Sequence, residues 1–171
     1  GKAYPLFQQR DVKNVDWDGL GAEIIIESSG KYAGRRESSS QDRLPLGGHV
    51  KKVIITAPST IDDITIVLGV NEDQYDPKKH HVISGASMTT CGLAAILKLM
   101  NDTYGVERGM TMSVHSYTTD QKILDVSHKD FRRARAAGMS IIPTTTGAAE
   151  AITKVLPSVE GKLSCHAVRE L

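Results

Sequence analysis

Cysteine is scarce in this chain of 171 residues, where only Cys91 and Cys165 occur, far apart and without metal-ligand spacing. That excludes a disulfide framework and suits a reducing compartment, so the expectation is a cytoplasmic protein. An excess of one charge is missing too: 21 basic and 20 acidic residues leave a formal net charge of +1. Interspersed in this way, they create no field that selects nucleic acid or an anionic membrane as a partner. No apolar run approaches membrane-spanning length, the first ten residues lack a signal-peptide pattern, and no internal repeat is present. There is no initiating methionine either, and the opening leads directly into a buried-strand pattern. An upstream segment is therefore expected.

What is present reads as a layered α/β protein. The β-branched run at 22–27 is followed by Ser28, Ser29 and Gly30, a strand ending in a tight turn. Runs at 51–57, 64–70 and 82–84 repeat the pattern, continuous rather than alternating, which predicts strands covered on both faces. Residues 35–48 are polar and interrupted by Pro45, so any helix there is short or broken. From Thr89 to Tyr104 the residues Leu93, Ile96, Leu97 and Met100 recur at helical spacing, with Gly105 where a left-handed cap is common. Met110, Met112 and Val114 then alternate with Thr111, Ser113 and His115, giving a strand with one apolar and one polar face and placing His115 on the latter. Residues 116–140 form a long charged loop, of a length that is uncommon unless functional. A second helix is expected over 148–156, preceded by Thr146 and stopped by Pro157, then a strand over 162–168.

Four motifs in one order carry a resemblance: Ser-Gly-Ala-Ser-Met-Thr-Thr (84–90), Val-His-Ser-Tyr-Thr (114–118), Arg-Arg-Ala-Arg-Ala (132–136) and Ile-Pro-Thr-Thr-Thr-Gly-Ala-Ala (142–149). Upstream, Glu-Ser-Ser-Gly (27–30), Val-Ile-Ile-Thr-Ala-Pro (53–58) and Gly-Val-Asn (69–71) extend it over nearly the whole chain. The sequence resembles phosphorylating glyceraldehyde-3-phosphate dehydrogenases of bacterial or plastid type, which also leaves a plastid location open. The resemblance implies the end of a Rossmann-type nucleotide domain over 1–87, then the first part of an α+β catalytic domain with a mixed sheet over 88–171. It also implies a homotetramer.

In that family a cysteine at the start of a helix attacks an aldehyde. The thiohemiacetal is oxidised by hydride transfer to a nicotinamide, NAD or NADP, and inorganic phosphate releases the thioester. A helix N-terminus suits this chemistry because its unpaired N–H groups favour a thiolate and a developing oxyanion. Here Met88 stands at the nucleophile position. A thioether has no proton to lose, so the covalent route is closed. Cys91 is a poor substitute, being displaced about 4.5 Å along the axis. Gly85, Cys91 and Gly92 also depart from the family pattern.

By the same resemblance His115 is the general base, sharing a cleft with residue 88. Thr118, Asp120, Arg133 and Arg169 hold the phosphate of a small phosphorylated aldehyde, while Thr89, Thr146 and Gly147 receive inorganic phosphate. Hydroxyls, helix-start N–H groups and the arginine fork are suited to phosphate. Each has a plainer reading: Thr146 as a helix cap, the arginines of 132–135 as a solvated loop, a histidine on a polar face as structural. His80 and His81 are read as structural and not as metal ligands, and no metal is expected. Ser29, Gly30 and Thr56 resemble residues lining the cofactor cleft. Gly19-Leu-Gly21 lacks the third glycine of a dinucleotide fingerprint and no strand precedes it, so cofactor binding by this chain alone is expected to be weak or absent. The activity implied is that of an oxidoreductase disabled at residue 88. The alternatives are a non-catalytic binding or scaffold relative, and an esterase or phosphatase in which His115 activates water.

Overall fold

A computed structural model of the chain describes residues 3–34, 45–118 and 121–170. Two compact units are present, Gly1–Met88 and Thr89–Leu171. In the first, β1 (Ile24–Glu27), β2 (Lys52–Ile55), β3 (Ile64–Thr65) and β4 (Val82–Ser84) form a parallel sheet in the order β1-β2-β4-β3. Register aligns Ile25 with Val53 and Val53 with Val82, then Glu27 with Ile55 and Ile55 with Ser84. The covered face carries Ile25, Val53, Ile55 and Val82, packed with Tyr32, Val50 and Ile61. Trp17 adds its ring to this cluster and donates its indole N–H to Val12 O at 2.9 Å.

Two expectations need correction. The apolar run of β1 is covered on one face only, since Ile24 and Ile26 are exposed while Ile25 and Glu27 are buried. Among the described residues nothing covers the Ile24 and Ile26 side of this edge strand. The run at 64–70 is a strand only as far as Thr65. Buried Asn71 ends it: its Oδ1 accepts from Val67 N–H and its Nδ2 donates to Thr65 O, both at 2.9 Å. That exchange gives the backbone a local alternative to the ladder. Residues 35–44, where a short or broken helix is expected, lie outside the described residues.

The second unit takes nearly all of helix α1 (Met88–Tyr104), then β5 (Gly109–Ser116), β6 (Ile142–Thr144), helix α2 (Ala148–Val155) and β7 (Leu163–Glu170). α1 buries Thr90, Ala94 and Leu97, one helical stripe, and stops where Gly105 takes φ +74°. The sheet order is β5-β7-β6, with β5 parallel to β7 and β6 antiparallel, so this sheet is mixed as expected. α2 sets Ala148, Ile152 and Val155 into the core and packs on β7. The alternation along β5 holds, with an unexpected sense: Thr111, Ser113 and His115 are half-buried, while Met110, Met112 and Val114 are exposed. The loop after β5 contains short 3-10 turns at Phe131–Ala134 and Ala137–Met139. Among the described residues no helix is long and apolar enough to cross a membrane.

Candidate active site

The approach to α1 is built by backbone constraint. Gly85 N–H donates to Ile55 O at 2.9 Å, Ser84 Oγ donates to Ala57 O at 2.7 Å, and Ala86 N–H donates to Ser84 Oγ at 3.1 Å. Ala86 is buried and held at φ +62°, the left-handed region that costs an ordinary residue about 1–2 kcal/mol. The strained turn delivers the chain to the first residue of α1, Met88, whose side chain is 86% exposed. Thr89 and Cys91 follow half-buried and Thr90 is fully buried.

The parallel pairing of β5 with β7 sets His115 opposite Arg169 and Ser116 opposite Glu170. Arg169 Nη1 reaches back across the pair, donating to Ser116 O at 3.3 Å and to Thr118 Oγ1 at 3.2 Å. Gln121 completes the group: its Oε1 accepts from Thr118 N–H at 2.8 Å and lies 3.2 Å from Thr118 Oγ1. Nothing in the charge or spacing of Gln121 separates it from its loop neighbours in the sequence. Asp120 lies outside the described residues.

Arg133 is drawn to Asp130, with Nε 3.8 Å from Oδ2. Asp130 also accepts from Arg132 Nε and Nη2 at 3.0 and 2.8 Å and caps the turn through Arg132 N–H. The Arg132 fork holds the Asp130 carboxyl down at about 2, with Arg133 adding a smaller pull in the same direction. At the start of α2, Thr146 Oγ1 accepts from Ala148 N–H at 3.2 Å and Gly147 O accepts from Ala151 N–H at 2.9 Å.

In the first unit Ser29, Gly30 and Thr56 follow the carboxyl ends of β1 and β2, the edge at which open α/β sheets bind ligands. Thr56 donates to Glu27 O through both its N–H, at 3.0 Å, and its hydroxyl, at 3.3 Å. Glu27 Oε1 accepts from Ser29 N–H at 2.9 Å and from the Ser29 hydroxyl. Its Oε2 is buried and has no hydrogen-bond partner among the described residues. The sequence signal for Glu27 was available: a carboxylate closing an apolar strand just before Ser-Ser-Gly.

Residues 87–170 match the family model described as glyceraldehyde 3-phosphate dehydrogenase, C-terminal domain. Over 169 residues, 99% of this chain and 49% of the relative, the sequence is 52% identical to the glyceraldehyde-3-phosphate dehydrogenase of Geobacillus stearothermophilus. The chain belongs to the glyceraldehyde-3-phosphate dehydrogenase family. Identity is 50% to glyceraldehyde-3-phosphate dehydrogenase 1 of Bacillus subtilis and 47% to the enzyme of Streptomyces coelicolor, with the same shares covered. The chain spans about half the length of the curated relatives it matches.

Proposed function

We propose that this chain is a segment of a phosphorylating glyceraldehyde-3-phosphate dehydrogenase, unable to complete the reaction because Met88 occupies the nucleophile position. The observation that carries the reading is the Arg169–Thr118 hydrogen bond beside the His115–Arg169 pairing. It brings Arg169, 51 residues further along the chain, to Thr118 and opposite His115. Thr118, Asp120, Arg133 and Arg169 take the phosphate of a small phosphorylated aldehyde. Thr89, Thr146 and Gly147 take inorganic phosphate. His115 accepts the proton that the substrate hydroxyl loses on oxidation.

The residues at the edge of the first sheet fit a dinucleotide. Exposed hydroxyls of Ser29 and Thr56 stand beside a buried carboxylate oxygen that lacks a donor, and the ribose and carboxamide groups of such a ligand supply donors. Ser29, Gly30 and Thr56 would hold it, and the nicotinamide, of NAD or NADP, would supply the hydride acceptor. The whole protein is proposed to be a homotetramer of the cytoplasm or plastid.

Pure chain given glyceraldehyde 3-phosphate, inorganic phosphate and either nicotinamide is expected to show no reduction above background. Measured phosphate-dependent reduction overturns the reading. Met88→Cys is expected to create a strongly iodoacetamide-reactive thiol, since the position is exposed at a helix start, while turnover still requires a bound dinucleotide. Met88 also favours a second reading, a non-catalytic anion-binding relative. It is distinguished by phosphate binding that persists when Met88→Cys fails to gain activity even with the nucleotide-binding segment of a relative joined to the chain.

A further inference from the structure

We propose that the Gln121 side-chain amide is a further arm of the phosphate site, donating from Nε2 to an anion oxygen alongside Arg169 and Thr118. The proposal rests on the reading of those two residues as phosphate ligands. The orientation of the amide is dictated by its surroundings. Thr118 N–H can only donate, so the Gln121 atom 2.8 Å from it must be the oxygen, and the nitrogen lies on the other branch. That nitrogen is buried, on a side chain only 3% exposed, and has no hydrogen-bond partner among the described residues. Native proteins leave few buried amide donors unsatisfied, and an amide NH2 is satisfied only by an acceptor.

The neighbourhood selects an anionic acceptor. The Thr118 hydroxyl takes a hydrogen bond from Arg169 and faces Gln121 Oε1, so the guanidinium, the hydroxyl and the amide form one connected chain. Arg169 spends only Nη1 on protein acceptors among the described residues, and its remaining N–H groups are free for an oxyanion. Thr118 and Gln121 also line a cleft of about 590 Å³ whose wall includes Lys122 and the apolar Ile123, Leu124 and Val126. Lys122 is the charged residue of that wall among the described residues, and Tyr117 adds a phenol. A purely structural Gln121 would need only its oxygen, which already fixes Thr118. The unpaired nitrogen is what calls for a ligand.

The test is a titration of the isotope-labelled full chain with inorganic phosphate, followed by nuclear magnetic resonance. The Gln121 side-chain amide protons are expected to move downfield along one saturation curve with the Thr118 amide and the Arg169 Nε–H. Gln121→Glu keeps an acceptor for Thr118 N–H and removes the donor, and is expected to weaken phosphate about tenfold. The uncharged Gln121→Met is expected to weaken it as well. If Thr118 and Arg169 respond while the Gln121 amide does not, or if both variants bind phosphate like the parent, the role assigned to Gln121 falls and the phosphate reading stands. If neither Thr118 nor Arg169 responds to millimolar phosphate, the phosphate reading falls and takes this proposal with it.

Discussion

The two sheets solve the problem of a covered face in opposite ways. In the parallel sheet the buried side is apolar, with Val53 and Ile55 fully enclosed beside Val82. On β5 of the mixed sheet the methionines face out, Met110 being 75% exposed, and the residues turned inward are Thr111, Ser113 and His115. Alternation along a strand fixes which side chains share a face, because the pleat has a period of two. Which face is covered is decided by what else packs there.

Four measurements break or sharpen that comparison. Ile55→Ala and Ile152→Ala, both at fully buried sites, are expected to cost about 2–5 kcal/mol each, whereas Ile26→Ala on the exposed face of β1 costs well under 1 kcal/mol. Trp17, the sole tryptophan, packs on the first core and reports the Ile55 change by fluorescence in urea; amide exchange along α2 and β7 reports the Ile152 change. Equal losses at Ile55 and Ile26 would show that the sheet has no preferred face.

Thr118→Val removes the hydroxyl that joins Arg169 to Gln121 and is expected to cost about 1 kcal/mol in the second unit, together with most of its phosphate affinity. Retained affinity for inorganic phosphate, measured by calorimetry, counts against the site. Met110→Thr and Met112→Thr keep β propensity on an exposed face and are expected to change stability by no more than about 0.5 kcal/mol in the isolated chain. A loss comparable to that of Ile152→Ala would mean this face is covered after all.

The smallest effect is a pH dependence. Asp130 has its carboxyl lowered from 3.8 to about 2 by the Arg132 fork. A depressed acid contributes stability that is complete above its unfolded value, near 4, and is lost as pH falls through about 2. The 3-10 turn at Phe131–Ala134 should therefore loosen only below about pH 4, and Asp130→Asn should abolish that dependence. A carboxyl resonance of Asp130 that titrates near 4 would exclude the pairing.

Much of this architecture was legible in the chain. Periodicity located α1 to within a residue of its start, Gly105 marked its end, and the branched run at 82–84 is the strand β4. These are local properties, set by backbone propensity and by a glycine's freedom at positive φ. The motifs carried the family as well, because four ordered stretches of particular residues rarely coincide by chance. The 64–70 run failed for an equally local reason: Asn71, just past it, supplies hydrogen bonds that compete with the ladder, and hydrophobic pattern alone does not register them.

By itself, then, the sequence determined both helices, most of the strands, the family, and the absence of a thiol at residue 88. Tertiary structure alone decided which face of each strand is covered, that Arg169 reaches Thr118 across 51 residues, that Gln121 holds its oxygen toward Thr118, and that Glu27 is buried with one oxygen unsatisfied. The division has a physical cause. Propensity and periodicity act over a few neighbouring residues, whereas burial and hydrogen-bond pairing depend on which distant segments the sheet register brings into contact.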